Sequence, residues 1–85
     1  MNDFKNWTEV TKGIYRYVLA ASACYELHIA QHDLKKDIST ATANIYMVGE
    51  WCSNAGVYFE RELIHYGSIE ECLAAACEDY SANMQ

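Results

Sequence analysis

Cys24, His28 and His32 stand at i, i+4 and i+8, the spacing that stacks side chains on one side of a helix. There they would lie about 6 Å apart per step, near enough to share a metal ion. On a strand the same residues separate by about 13 Å per step and cannot chelate one ion. Glu26, Glu60 and Glu62 form a second set: on one sheet face they would supply paired carboxylates for acid and base work, with His28 as a proton shuttle. Thiols make a third. Cys72 and Cys77 are about 140° apart around a helix axis, so they cannot cross-link within it and act as small hydrophobes beside its core stripe. Cys52, after Trp51, falls in a turn and is the thiol expected to be exposed, but Glu50 beside it opposes a thiolate and no base is near in sequence. No G-x-G-x-x-G, P-loop, G-x-S-x-G, H-E-x-x-H or C-x-x-C occurs, so every motif tied to a specific mechanism is missing. The residues therefore predict a non-enzymatic protein with no catalytic, cofactor or metal site.

Which of these groups meet depends on the elements that carry them. Ser68 with Glu71 forms an S-x-x-E capping box, and Ile69, Cys72, Leu73, Ala76, Cys77 and Tyr80 recur at the spacing of one apolar stripe. Glu70, Glu71, Ala74, Ala75, Glu78 and Asp79 fall on the other side. This predicts a C-terminal amphipathic helix with an acidic back. Upstream the period is two. Trp7 to Val10, a turn at Lys12-Gly13, Ile14 to Leu19, Cys24 to His32, Thr40 to Gly49 and Val57 to Tyr66 read as strands, with turns at 33–37 and 53–56. A helix from about Val18 to Lys35 competes, because Leu19, Ala23, Leu27, Ala30 and Leu34 also fall at helical spacing and Ala-Ala-Ser-Ala is poor hairpin chemistry. The strand reading is preferred, since Tyr25, Ile29 and the aromatic flanking strands favour a sheet. The expectation is an α+β fold in two layers: an antiparallel four- or five-stranded meander sheet with one C-terminal helix packed on one face, in a single domain spanning 1–85.

Such a sheet has two unequal faces. Tyr15, Tyr17, Leu19, Tyr25, Leu27, Ile29, Ala43, Ile45, Met47, Phe59 and Leu63 are expected under the helix. Arg16, Val18, Glu26, His28, Asn44, Tyr46, Tyr58, Glu60 and Glu62 are expected on the open face. Arg61 fits the inward set badly, which predicts a bulge near it or pairing with Glu70 or Glu71. Tyrosine and arginine suit the centre of a protein interface and charged groups its rim, so Arg16, His28, Tyr46, Tyr58 and Glu60 are the candidate partner-binding residues.

The 85 residues carry twelve acidic and six basic side chains, a net charge of -6. From Glu60 onward, Glu60, Glu62, Glu70, Glu71, Glu78 and Asp79 face only Arg61. That balance argues against direct nucleic-acid binding. With 52% hydrophobic residues and 13% aromatic, the composition excludes a disordered chain. No apolar leader or membrane-length run is present, so a cytoplasmic protein with reduced cysteines is expected. The function predicted is a small interaction module that binds a protein partner, or a second copy of itself, through the tyrosine-bearing sheet face. Two other readings stand beside it: an acidic, phosphate-mimicking inhibitor of a nucleic-acid-binding protein, using the helix and last-strand carboxylates, and a small metal- or thiol-dependent protein.

Overall fold

The computed structural model describes residues 3–20, 23–30, 41–49, 51–53, 56–58 and 61–83, and of residues 20, 51–53, 56–58 and 83 the backbone alone. Its main sheet is antiparallel and five-stranded. β1 (Thr8–Thr11), β2 (Ile14–Ala20), β3 (Ala23–Ile29) and β4 (Thr42–Gly49) follow one another as a meander. A small ribbon of β5 (Trp51–Ser53) and β6 (Gly56–Tyr58) intervenes before β7 (Glu62–Ser68) joins beside β4, giving the order β1-β2-β3-β4-β7. Helix α1 (Ile69–Asn83) follows without a linker. Lys12 and Gly13 form the two-residue loop between β1 and β2, and Gly13 takes the left-handed φ of 84° that glycine adopts without steric cost.

The helical alternative for the segment after Val18 fails in its described part, because 18–20 and 23–29 are strand. Burial outweighs the helix propensity of the alanines here. Tyr25, Leu27 and Ile29 alternate into the core and stand opposite Met47, Ile45 and Ala43 of β4. Cys24 and His28 are therefore on a strand, about 13 Å apart by its rise, and do not make a chelating pair. His32 lies outside the described residues.

One sheet face meets the helix. Ile69, Cys72, Leu73 and Ala76 pack onto Tyr25, Leu27, Ile45 and Met47, all buried. Both halves of the capping box form: Ser68 Oγ accepts from the Glu71 N–H at 3.1 Å, and Glu71 Oε1 accepts from the Ser68 N–H at 3.3 Å. Those bonds hold the Glu71 carboxyl below its ordinary range, the Ser68 backbone N–H contributing most. The buried Cys72 thiol donates to the Ala43 carbonyl oxygen at 3.3 Å, and burial pushes its pKa up, as expected of a packing thiol. A short 3-10 turn, Phe4–Asn6, covers the other end of the same face: Phe4 packs against Tyr15 at 4.7 Å between ring centroids and Trp7 against Tyr17 at 5.6 Å.

Three expectations are corrected. Val57 to Tyr66 is not one strand. Residues 56–58 belong to the separate ribbon and β7 starts at Glu62. Next, β7 contains a bulge: Tyr46 pairs with Leu63 and Ile45 with His65, leaving Ile64 as the extra residue. A one-residue slip reverses the faces. Leu63, expected inward, shares the open face with Tyr46 and is 53% exposed, whereas Ile64 packs against the core and Glu62 shares the side of Met47. The bulge expected near Arg61 is thus present three residues on, but Arg61 pairs with Glu26 rather than with Glu70 or Glu71. Finally, Asp79 does not belong to the acidic back of the helix. It accepts a hydrogen bond of 2.5 Å from the hydroxyl of the fully buried Tyr25 and so ties α1 to β3.

Candidate functional site

On the face opposite the helix, the registers of β2, β3, β4 and β7 set the side chains in rows. Arg16, Glu26, Tyr46 and Leu63 form the central row. Ile14, His28, Asn44 and Tyr66 flank it on one side, Val18, Cys24 and Val48 on the other. Directly paired residues are about 5 Å apart, so each member of a row stands beside its neighbours.

Glu26 is the centre of this face, and it is buried. The sequence places it among solvent-facing polar residues; its side chain is 2% exposed. Arg16 Nε donates to Glu26 Oε2 at 2.7 Å, His28 Nε2 lies 2.5 Å from Oε1, and Arg61 Nη1 stands 3.8 Å from the same Oε1. Burial is the largest single influence on this carboxyl and raises its pKa. Hydrogen bonds from Arg16 and His28, with their charge, lower it by more in sum, and the group sits below the usual glutamate range. The same pairing raises the Arg16 pKa, keeping the guanidinium charged. His28 is held from its other side by the ring of Tyr46, edge-on at 4.9 Å between centroids.

Arg61 reaches the cluster from an unusual backbone. Its φ is 61°, the left-handed region that glycine or asparagine adopts readily and a long side chain at a cost. Cys24 lies one step along β3. Burial raises its thiol pKa most, Glu26 adds to that and Arg16 works against it, so the group stays a thiol and a poor nucleophile.

Of the expected partner-binding residues, Arg16, His28 and Tyr46 are brought together here. Tyr58 ends β6, which belongs to the small ribbon rather than to this sheet, and its side chain lies outside the described residues, as does Glu60. The sequence reading missed Glu26 as the hub, Arg61 as its third partner, and Leu63 and Tyr66 as exposed apolar members. Part of this was accessible. Alternation puts Arg16 and Glu26 on one face, but continuing the Ala20–Ala23 pairing without a shift would set Arg16 opposite Leu27, and only the irregularity between Val18 and Ala20 brings it opposite Glu26. Nothing local signals Arg61, whose approach depends on the turn before β7.

Among the described residues, the face also exposes three large apolar side chains. Val18 is 69% exposed, Leu63 53% and Tyr66 61%. Two recesses of the described surface are an open groove along the back of α1 lined by Glu70, Ala74, Cys77 and Glu78, and a cleft of about 350 Å³ where Tyr17, Val18 and Leu19 of β2 meet Cys77 and Tyr80, reaching the open face only at Val18. Neither is lined by Arg16, Glu26, His28 or Arg61. With Asp79 engaged by Tyr25 and Glu71 by the cap, the acidic array along the helix is thinner than its composition implies.

Fold and site together define a small two-layer α+β protein with an antiparallel sheet, whose face opposite the helix carries a buried carboxylate between two arginines and a histidine. Among the described residues, no helix is long and apolar enough to cross a membrane. Comparison with protein-family models, with curated proteins and with solved structures found no match.

Proposed function

We propose that this chain is a small, cytoplasmic, non-enzymatic interaction module that docks onto a protein partner through the sheet face opposite α1. The observation that carries this reading is the distribution of exposed apolar side chains. Val18, Leu63 and Tyr66, three of the four large hydrophobic residues exposed among those described, share that face. Exposed apolar side chains on a face that also carries arginine and tyrosine are a usual composition of an interface. A sheet surface also suits a macromolecule better than a small substrate, which favours a concave site. The free thiols Cys24, Cys72 and Cys77 fit a reducing compartment.

The test compares proteins captured by the intact chain with those captured by Leu63→Arg and Tyr46→Ala, and by Glu78→Lys as a control on the helix back. A specific partner should be lost with the first two and kept with the third. Capture that survives Leu63→Arg and Tyr46→Ala, in variants shown to fold by circular dichroism, overturns the proposal. Capture lost only with Glu78→Lys and in high salt would favour the acidic helix face instead.

A further inference from the structure

We propose that Arg16 and Arg61, braced from below by Glu26, form a receiving site for a carboxylate of the partner: a Glu or Asp side chain flanked by apolar residues. This rests on the reading of the open face as the interface and specifies its chemistry. A guanidinium is a planar fork with two usable edges. Glu26 engages Arg16 through Nε, at 2.7 Å, on a side chain that is 45% exposed and that carries four further N–H donors for a second acceptor. The buried pairing fixes the fork before a ligand arrives, which lowers the ordering cost that binding would otherwise carry.

Arg61 adds the second cation. Its head lies 3.8 Å from Glu26, and its side chain is 59% exposed. The left-handed backbone at this position favours glycine, yet the residue there is the one whose side chain can reach the hub. Among the described residues the hub sets two guanidiniums against one carboxylate, an excess of positive charge in a chain whose net charge is -6. The local field therefore draws a single anion, while the acidic remainder of the molecule repels a polyanion. Val18 lies next to Arg16 along β2 and is exposed, so a carboxylate entering beside Arg16 would meet apolar surface there, and Leu63 adds exposed apolar surface at the far end of the row. That setting matches an acidic side chain within a mixed apolar segment.

The experiment uses the full chain as target for a displayed library of random peptides, followed by titration of the selected peptides into nitrogen-15-labelled protein. Selected sequences should share a Glu or Asp beside apolar residues, shift the Arg16 and Arg61 side-chain N–H resonances, and lose affinity about tenfold or more when that acid becomes Gln or Asn. Arg16→Lys keeps the charge beside Glu26 but removes the fork, and should lose binding by a similar factor. Arg61→Gly should also lose binding while its melting temperature is unchanged or raised, an outcome that a purely structural arginine would not give. Peptides that map to Tyr46 and Leu63 but show no acid preference, or bind Arg16→Lys equally well, overturn the carboxylate site and leave the interface standing. No peptide mapping to this face counts against both. Equal resonance shifts from inorganic phosphate, without acid selection, would reassign the fork to a phosphate ligand and overturn the proposal. Concentration-dependent self-association that blocks the peptides would replace the partner with a second copy.

Discussion

A carboxylate removed from water needs partners that restore what hydration supplied, and Glu26 has three within reach. Because its pKa is lower in the folded chain than in the unfolded one, the folded state binds fewer protons. The resulting stability is fully present above the ordinary glutamate value of 4.5 and is lost as pH falls through the lower folded value. Resistance of the wild type to urea should therefore fall as the pH drops below the ordinary glutamate value of 4.5, and Glu26→Gln should show a shallower acid slope. At neutral pH the same variant should be about 1–3 kcal/mol less stable, since two cations lose their buried counter-charge. An identical acid slope in both proteins would assign the effect to other carboxyls. Tyr25 poses a simpler case. Its hydroxyl gives α1 a polar anchor through Asp79, and Tyr25→Phe should cost about 1–2 kcal/mol in the same assay.

At the scale of elements, α1 is both locally and globally specified. Its start is fixed by Ser68 and Glu71, and Ser68→Ala should lower stability by about 1 kcal/mol, with loss of helical signal on heating as the readout. Its orientation is set by Ile69, Cys72, Leu73 and Ala76 against β3, β4 and β7. β7 behaves differently. The bulge at Ile64 lets Leu63 face outward while Ile64 and His65 turn toward the helix, so one strand serves both layers. In Arg61→Gly, relief of the left-handed backbone should offset the lost side-chain contact to within about 1 kcal/mol. A large loss of stability in that variant would instead make Arg61 a structural brace.

For the molecule as a whole, the layers divide the labour. The helix and the Phe4–Trp7 segment cover one face, and the charged hub and exposed apolar side chains occupy the other. Much of the first face was legible. Alternation in β2, β3 and β4 placed Tyr25, Leu27, Ile29, Ala43, Ile45 and Met47 inward, and all six are buried, because the period of a strand is set by covalent geometry. The second face was legible only in outline. Arg16, His28 and Tyr46 follow from the same alternation, but the exposure of Leu63 depends on a bulge, and one residue of slip inverts every assignment beyond it.

What the sequence determined by itself is what short-range physics dictates: the capped helix, the pleat of the first four sheet strands, the turn at Gly13 and a two-layer α+β plan. The tertiary structure decided what depends on residues far apart in the chain. It converted Glu26 from a surface acid into a buried hub, turned Asp79 from the helix back to Tyr25, and carried Arg61 across β4 to share the Glu26 carboxylate. Burial and charge pairing are properties of the assembled surface. Their energies arise only once distant strands have closed on one another, and no local pattern of residues encodes them.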